Sequence, residues 1–212
     1  MLAMKSGHFR QRMLNAFSRA GYRNVSIHTV LASDFGVPQD RRRVFIIGLH
    51  NSVRLASNLE ETFARLLAAQ KAKNKVSVWD AISDLPSQVS QDNKPLPYPT
   101  KGRKKPTAYQ RLMRLDSDWG RKSASRIKQS PKLLLHNHHT KGMEARRRKI
   151  VAWIKPGMTG DSLPLRLWSG VRGHKWRRLD PTRPSYTILA QMSRDLSEWI
   201  HPAEDRWITV RE

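Results

Sequence analysis

The apolar run RVFIIGL, from Arg43 to Leu49, is the feature that most constrains the fold. Its β-branched and aromatic residues follow one another without a polar break, a pattern typical of a strand buried on both faces. Before it, Val25 to Ala32 predicts another strand, and Ser6 to Ala20 predicts an amphipathic helix closed by Gly21. The apolar residues that share one face of this helix are Phe9, Met13, Ala16, Phe17 and Ala20. Together these elements indicate an α/β sheet.

Three arginines, Arg41, Arg42 and Arg43, stand at the start of this strand, shortly after Gln39. A guanidinium group is a rigid, permanently charged fork of donors that can bind a phosphate or a base-edge carbonyl with two hydrogen bonds. Because side chains alternate along a strand, Arg41 and Arg43 are expected to share one direction while Arg42 takes the other. The pattern fits a pair of arginines aimed into a site at the mouth of the strand. It fits a solvated charge run that caps the strand equally well.

Two more helices are predicted before the composition changes. Asn58 to Lys73 is rich in alanine and leucine, and the segment SVWDAISDLP has Ser77 followed three residues later by Asp80, an N-terminal capping pattern. This helix is expected to end at Pro86. From Asp84 to Pro106 the sequence contains five prolines, which indicates a loop or a boundary between lobes.

The rest of the chain is basic and irregular. Lys101 to Lys128 is strongly basic, Glu144 to Ile154 predicts a short helix, and Arg183 to Gln191 predicts a late strand. The pattern favours the edge of a larger α/β domain with a nucleic-acid-binding lobe attached.

The charge of the chain indicates a polyanionic partner. Its 40 Lys and Arg against 17 Asp and Glu give a net charge of +23 and a pI near 11.3. Nucleic acid is the leading candidate, with an anionic membrane surface second. No segment approaches the ~18 apolar residues of a membrane span, and no secretory signal is recognisable, so a cytoplasmic location is expected. The absence of cysteine excludes disulfides, thiolate metal sites and a cysteine nucleophile within this sequence.

Basic residues interleaved with aromatic ones are the candidates for binding nucleic acid. They are Lys101, Arg103, Lys104, Lys105, Arg121, Lys122, Arg146, Arg147 and Arg148, and Gln39 and Arg42 at the start of the apolar strand are further candidates. The accompanying aromatic residues are Tyr109, Trp119 and Trp153. The alternative is a solvated basic surface with the aromatic residues in the core, and for the tryptophans taken alone we favour the core.

Other chemistries have weak signals. The histidines His136, His138 and His139 do not have the spacing of a metal site, so no metal ligands are predicted. The glycines do not form a phosphate-binding loop, and neither a Ser-His-acid arrangement nor a carboxylate pair is evident.

Several stretches resemble one family in the same order. VLASDFGVPQDRRRVFIIG resembles the block of cytosine-C5 DNA methyltransferases that carries Gln-x-Arg-x-Arg after a Gly-Val-Pro turn, with Gln39, Arg41 and Arg43 on the signature positions. MLAMKSGHFRQRMLNAFSRAGY resembles the helix after the family's Glu-Asn-Val block, and VSVWDAISDLP the helix that leads into its target-recognition region. RRLDPTRPSYTILAQMSRDLSEWIHPAEDRWITVRE resembles the approach to its ninth motif. Only about Lys94 to Lys175 lacks a close match.

The resemblance implies methyl transfer from S-adenosylmethionine to C5 of a cytosine flipped out of duplex DNA. It assigns catalytic roles to Arg43, which would hold the flipped base, and to Arg41 beside it. The implied fold is part of a Rossmann-like, S-adenosylmethionine-dependent methyltransferase sheet at its edge, with a smaller, basic, irregular target-recognition lobe. The implied divisions are residues 1–85 for the C-terminal part of the catalytic α/β domain, 86–180 for DNA target recognition and 181–212 for a return segment to the catalytic domain, truncated within the ninth motif.

The departures from the family pattern limit what this chain is expected to do alone. The family's glycine-rich cofactor motif, Pro-Cys nucleophile and Glu-Asn-Val motif would lie upstream of Met1, and the sequence stops inside the ninth motif. No cofactor-binding residues are therefore expected here, although the complete enzyme would use S-adenosylmethionine. We expect a C-terminal segment of such an enzyme, in a restriction-modification setting, that is inactive alone and is completed by an N-terminal subunit or upstream fragment. The alternatives are a stand-alone basic nucleic-acid-binding protein and a non-functional gene remnant.

Overall fold

The computed structural model divides the chain into two compact units. The first comprises residues 1–35 and 41–74, and the second residues 36–40 and 75–212. The residues that the structure describes are 7–55, 57–87, 89–90, 92, 94–98, 105–114, 134–140, 142–168, 172–188 and 199–212.

The described elements mix helices and strands, as the sequence predicts. In chain order they are α1 (His8–Arg19), β1 (Asn24–Leu31), β2 (Gln39–Asp40), β3 (Arg42–Leu49), α2 (Leu59–Gln70), α3 (Val78–Ile82), β4 (Leu96–Pro97), α4 (Ala108–Met113), β5 (Leu134–Leu135), α5 (Ala145–Val151), β6 (Arg177–Arg178), β7 (Ser185–Tyr186) and β8 (Trp199–Ile200). Within the described ranges, none of the helices has the length and apolar character needed to cross a membrane.

The first unit is built on an antiparallel pair of strands. β1 pairs with β3 from Asn24 opposite Leu49 to Leu31 opposite Arg42. Helix α1 packs against β3 at Gly48, where an added Cβ would come within 2.8 Å of the Phe17 ring. Glycine at this position therefore leaves the room that the helix needs. The predicted helix and both strands are confirmed, with small shifts at their ends.

The prediction that β3 is buried on both faces is wrong. Val44 is 42% exposed and Phe45 is 47% exposed, and only the segment from Ile46 to Leu49 is half-buried. The described sheet of this unit has two strands, and α1 covers β3 near Gly48 rather than near the arginines. A continuous apolar run therefore does not have both faces covered in this unit.

Helix α2 is joined to β1 by a polar contact between the exposed Glu60 and the buried Ser26. Asn58 caps the helix by accepting from the Glu60 backbone N–H at 2.7 Å. The buried Ser26 hydroxyl donates to the Glu60 carboxylate at 2.5 Å and lies 2.5 Å from His28 Nε2. The His28 ring packs at 4.7 Å from the Phe63 ring. Because the Ser26 hydroxyl is buried, this Ser-His-Glu group anchors a helix and does not present a nucleophile.

The second unit begins with the predicted capped helix. The Ser77 backbone N–H donates to Asp80 Oδ2 at 3.0 Å, and the Asp80 N–H donates to Ser77 Oγ at 3.1 Å. This reciprocal pair is a capping box at the start of α3, so the predicted cap is confirmed. Its apolar residues Val78 and Ile82 then enter the core.

Two hydrophobic clusters form the core of the second unit. The first contains Val78, Ile82, Leu179 and Ile208. The second contains Val151, Ile154, Ile200 and Trp207. Strands β6 and β8 pair in parallel, and the Leu179 N–H donates to the Ile200 carbonyl at 3.1 Å, so these two strands link the clusters.

Arg178 lies buried between these elements, with only 4% of its surface exposed. Its guanidinium donates to two carbonyls near the end of α5, Ile154 at 2.5 Å and Val151 at 2.9 Å. It also donates to the His201 carbonyl at 3.0 Å and the Glu204 carbonyl at 2.9 Å, and it pairs with the Asp205 carboxylate at 2.5 Å. One side chain thus satisfies the last carbonyls of a helix and ties the segment after β8 to it.

The segment after β8 contains a buried ionic cluster. Arg206 donates to both carboxylate oxygens of Glu212, at 2.8 and 2.7 Å. Burial alone would raise the pKa of Glu212, but the hydrogen bonds and charge of Arg206 outweigh it and hold that pKa below its ordinary value. Burial lowers the pKa of His201, and the opposing effects of Glu212 and Glu204 do not cancel this. The Ala203 N–H donates to His201 Nδ1 at 3.2 Å, as expected for a neutral ring.

We expect Arg178→Met to lower the free energy of unfolding of the second unit by about 3–5 kcal/mol, because it leaves several buried carbonyls without a donor. Urea unfolding followed by tryptophan fluorescence measures this change. Arg166→Met is the matched control, since Arg166 is exposed, and we expect it to change stability by less than about 0.5 kcal/mol. Equal small losses in both variants would contradict the role given to Arg178.

Stability is expected to fall as the solution is acidified. The pKa of His201 is depressed in the folded state, so its contribution is complete above the ordinary value of 6.5 and is lost as the pH falls below it. The depressed pKa of Glu212 adds a second loss below its ordinary value of 4.5. Urea unfolding between pH 4 and pH 8 measures this dependence. His201→Gln should flatten the loss that begins near 6.5, and an unchanged profile in that variant would contradict the assignment.

Candidate nucleic-acid interface

The first part of the Gln-x-Arg-x-Arg block belongs to the second unit. Gly36 turns the chain with φ of +80°, a left-handed conformation that favours glycine. Gln39 and Asp40 then pair in parallel with Ser185 and Tyr186. The Ser185 N–H donates to the Pro38 carbonyl at 2.9 Å. The start of the block is thereby fixed to the segment that leads towards the chain's last motif.

The arginines of the block belong to the first unit. Arg42 and Arg43 open β3 opposite Leu31 and Val30, and both are exposed. Arg43 Nη1 donates to the Arg42 carbonyl at 2.9 Å, while the Arg41 carbonyl accepts from the Ala32 N–H at 2.9 Å. Arg41 is half-buried. The exposed guanidinium groups of Arg42 and Arg43 are accessible to a ligand, and the opposite directions predicted for Arg42 and its two neighbours stay a prediction.

An arginine stacked on two aromatic rings lies beside this block in the second unit. The Arg177 guanidinium carbon is 4.0 Å from the centroid of the Tyr186 ring and 5.8 Å from that of Trp199. The two rings are stacked, with their centroids 6.2 Å apart and their planes at 30°. No sequence pattern assigns these residues a function. The sequence signal for them is the pair Arg177 and Arg178 in a short strand. Because side chains alternate along a strand, one arginine of the pair is buried and the other is not.

A cavity of about 300 Å³ lies in the second unit, among α3, α4 and the residues around Tyr98. At its wall the Asp84 carboxylate accepts from the Tyr98 hydroxyl, and it accepts from Arg114 Nε at 2.8 Å and Nη2 at 2.6 Å. The Arg114 guanidinium lies over the Tyr98 ring, 4.2 Å from its centroid. The polar groups of Asp84, Tyr98 and Arg114 satisfy one another, so this trio joins α3 to α4 and to the segment after β4.

The electrostatics of this trio follow from its burial. Burial, together with the hydrogen bond to Asp84, raises the pKa of Tyr98 to about 12. Burial alone would lower the pKa of Arg114, but the hydrogen bonds to Asp84 and Tyr98 outweigh it and raise that pKa. Tyr98 is therefore neutral and Arg114 charged at physiological pH.

The predicted basic residues fall partly within the described chain. Arg146, Arg147 and Arg148 lie exposed on α5, and Lys105 is exposed before α4. Arg147 approaches the Glu144 carboxylate at 3.7 Å. The other predicted residues lie outside the described residues: Lys101, Arg103, Lys104, Arg121 and Lys122.

The predicted core positions of the tryptophans are wrong for Trp153, which is 56% exposed. Val151 and Ile154 occupy the core face of α5 and the turn after it, so Trp153 between them is directed away from the core. Tyr109 is half-buried, and burial raises its pKa. Trp119 lies outside the described residues.

Of the three histidines, His138 is buried and serves packing, whereas His136 is exposed. His138 is 1% exposed; its Nε2 donates to the Pro86 carbonyl at 2.8 Å, and its Nδ1 accepts from the Thr209 hydroxyl at 3.1 Å. His136 lines the cavity beside Asp84. Among the described residues, no group of three or more His, Asp or Glu side chains is placed to hold a metal ion.

Known proteins resemble this chain over parts of their length. The type II methyltransferase M.AgeI of Thalassovita gelatinovora is 28% identical, with 100% of this chain and 61% of that protein covered. The type II methyltransferase M.MthTI of Methanothermobacter thermautotrophicus is 42% identical over 76 residues, covering 36% of this chain and 20% of that protein.

A solved structure shares the fold. It belongs to an E. coli protein encoded within a prophage and assigned as a DNA modification methyltransferase, with a TM-score of 0.64 and 22% identity. The match covers 98% of this chain and 53% of that one. The chain thus spans somewhat over half the length of M.AgeI and of this structure.

The family comparison covers the chain from end to end. The model described as C-5 cytosine-specific DNA methylase matches residues 1–212, which include the Gln-x-Arg-x-Arg block and both units. On this match the chain belongs to the C-5 cytosine-specific DNA methylase family.

Proposed function

We propose that this chain is the C-terminal, DNA-recognising portion of a DNA (cytosine-5-)-methyltransferase, which methylates C5 of cytosine in duplex DNA with S-adenosylmethionine. The observation that carries the proposal is the pairing of Gln39 and Asp40 with Ser185 and Tyr186. This pairing joins the start of the signature block to the segment before the ninth motif. The net charge of +23 suits a duplex DNA partner.

The proposed architecture follows from the units and their family. The pair β1 and β3, with α1 and α2, would be an edge of the Rossmann-like methyltransferase sheet. The short strands and basic residues of the second unit would include the target-recognition lobe. We propose residues 1–85 as the C-terminal part of the catalytic domain, 86–180 as the target-recognition region and 181–212 as the return segment to the catalytic domain.

Arg43 and Arg41 are the proposed catalytic residues. Because Arg43 is exposed at the start of β3, its guanidinium can reach the carbonyl edge of a cytosine turned out of the helix. A fixed positive charge at that carbonyl stabilises the negative charge that develops when a nucleophile adds to the ring. Arg41 would support the same base or its backbone.

The basic residues of the second unit would hold the duplex. Arg146, Arg147 and Arg148 present three guanidinium groups on one short helix, with Lys105 a further exposed cation. Contacts of this kind fix the register of DNA through its phosphates and do not by themselves choose a sequence. The same role is proposed for the predicted residues outside the described ranges: Lys101, Arg103, Lys104, Arg121 and Lys122.

The cavity among α3, α4 and Tyr98 does not fit S-adenosylmethionine. The cavity of about 300 Å³ is lined by Asp84 and Glu212, whose carboxylates are already engaged by Arg114 and Arg206. The sequence also contains no cysteine to add to the base. We therefore propose that cofactor and nucleophile come from an N-terminal subunit or upstream fragment, and that this chain does not methylate DNA alone.

The proposed setting is a restriction-modification system in the cytoplasm. The relatives M.AgeI and M.MthTI carry type II methyltransferase names, which fits such a setting. The DNA partner would be the host duplex.

The purified chain is expected to transfer no labelled methyl group from S-adenosylmethionine to DNA. Activity should appear when the product of the adjacent upstream reading frame is added, because that product would supply the cysteine and the cofactor site. The measurement is incorporation of labelled methyl into plasmid DNA, with and without the second polypeptide.

Methylation by the purified chain alone would contradict the proposal. DNA binding that is unaffected by any upstream product would instead favour a stand-alone basic DNA-binding protein. Poor solubility that no partner corrects would favour a gene remnant.

In the reconstituted enzyme, Arg43→Ala is expected to lower the methylation rate by about 10²–10³-fold, because it removes a charge that acts on the developing anion. DNA affinity should change by much less, since at most one ion-pair contact is lost. Single-turnover methylation and a binding titration at fixed salt measure the two effects.

Arg42→Ala is the matched control, since Arg42 is an exposed arginine of the same strand. We expect it to weaken DNA binding modestly and to leave the single-turnover rate on bound DNA nearly unchanged. If Arg43→Ala lowered DNA affinity and methylation rate equally, Arg43 would only contact a phosphate and would not act on the base.

A further inference from the structure

The stack of Arg177, Tyr186 and Trp199 is held in place by the backbone. Arg177 opens β6 and Trp199 opens β8, and these two residues face each other in the parallel pair. Tyr186 closes β7, where it lies opposite Asp40. Because three strands converge here, the two rings and the guanidinium are positioned before any ligand arrives.

The stack is open to solvent and to a ligand. Tyr186 is 41% exposed, and Arg177 is only half-buried. In the part of the chain that the structure describes, no acceptor forms a hydrogen bond or ion pair with the Arg177 guanidinium. Stacking occupies the face of a guanidinium, whereas its donors lie in the plane at its edge. The stacked group therefore keeps donors for an outside acceptor.

The surroundings select an anion. Lys175 and Arg183 lie close to Arg177 in sequence, and the chain carries a net charge of +23. The carboxylate of Asp180, which also lies close in sequence, accepts from the backbone N–H and the hydroxyl of Thr182. Asp40, which lies opposite Tyr186 in the strand pair, has a lysine ammonium, Lys75 Nζ, 3.8 Å from its carboxylate. A fork of donors on an aromatic platform matches the oxygens of a phosphodiester, with the rings left to pack against the sugar.

We propose that Arg177 binds a backbone phosphate of duplex DNA next to the Gln39–Asp40 strand, and that Tyr186 and Trp199 hold its guanidinium in the binding orientation. This inference rests on the proposed function, because it takes DNA as the partner. It adds a contact beside the signature block that fixes the DNA there. Arg177 touches the DNA, whereas Tyr186 and Trp199 are positioning residues.

The test is salt-dependent binding of the full chain to a fluorescent duplex. For Arg177→Ala the negative slope of log association constant against log NaCl should be less steep than that of the wild type by about 0.9, as expected for one lost phosphate contact. Arg177→Lys should keep the wild-type slope but bind about two- to five-fold more weakly, because an ammonium ion loses the planar stack.

The aromatic residues give a second measurement. Tyr186→Leu should weaken binding by a similar two- to five-fold without changing the slope, since the charge remains while its support is lost. Tyr186→Phe keeps the ring and should bind like the wild type. Far-ultraviolet circular dichroism checks the fold of each variant, and Arg177→Lys carries the test if Arg177→Ala is unfolded.

Arg166→Ala is the matched control, because it removes the same charge from an exposed position in the same unit. If Arg166→Ala made the salt dependence less steep by the same amount as Arg177→Ala, the effect would come from net charge, and the inference would be overturned. A wild-type slope in Arg177→Ala would overturn the inference too. So would an Arg177→Ala variant that no longer binds poly-glutamate but still binds DNA like the wild type, because that result would indicate an acidic protein partner. A wild-type chain without salt-sensitive DNA binding would overturn the proposed function as well.

Discussion

The second unit depends on one buried cation. Arg178 reaches the carbonyls of Val151 and Ile154 on one side and those of His201 and Glu204 on the other. A charge taken out of water is tolerated only when its hydrogen bonds are nearly complete, and this guanidinium is surrounded by acceptors. Its pairing with the half-exposed Asp205 supplies the counter-charge. The end of α5, the strand β6 and the segment after β8 thus share one polar centre between two apolar clusters.

Sequence reasoning succeeds here where the determining contacts are local. The capping box of Ser77 and Asp80 spans four residues, so both partners are visible in the sequence. The helix α1 and the strands β1 and β3 follow from periodicity in the same way. The Gln-x-Arg-x-Arg block is also contiguous, and the family that it predicts is confirmed.

Sequence reasoning fails where burial depends on distant partners. The apolar run of β3 shows only that the strand is compatible with burial. Phe45 remains exposed because another element would be needed to cover it. Trp153 is a large apolar residue of the kind usually found in a core, but it lies in the turn after α5 and is directed away from the core that Val151 enters. Arg178 is missed for the converse reason: it looks like a surface charge, and its carbonyl acceptors are 23 to 27 residues away.

The neighbours Arg177 and Arg178 have the same chemistry and opposite environments, one stacked on exposed rings and the other in the core. Strand alternation alone separates them. A shift of this strand by one residue would leave an arginine in one of the two positions and put Trp176 or Leu179 in the other. Either the rings would lose their stacked guanidinium, or the carbonyls around the buried position would lose their donor. The doublet therefore makes this short strand intolerant of changes in length, although either arginine alone would look replaceable in the sequence.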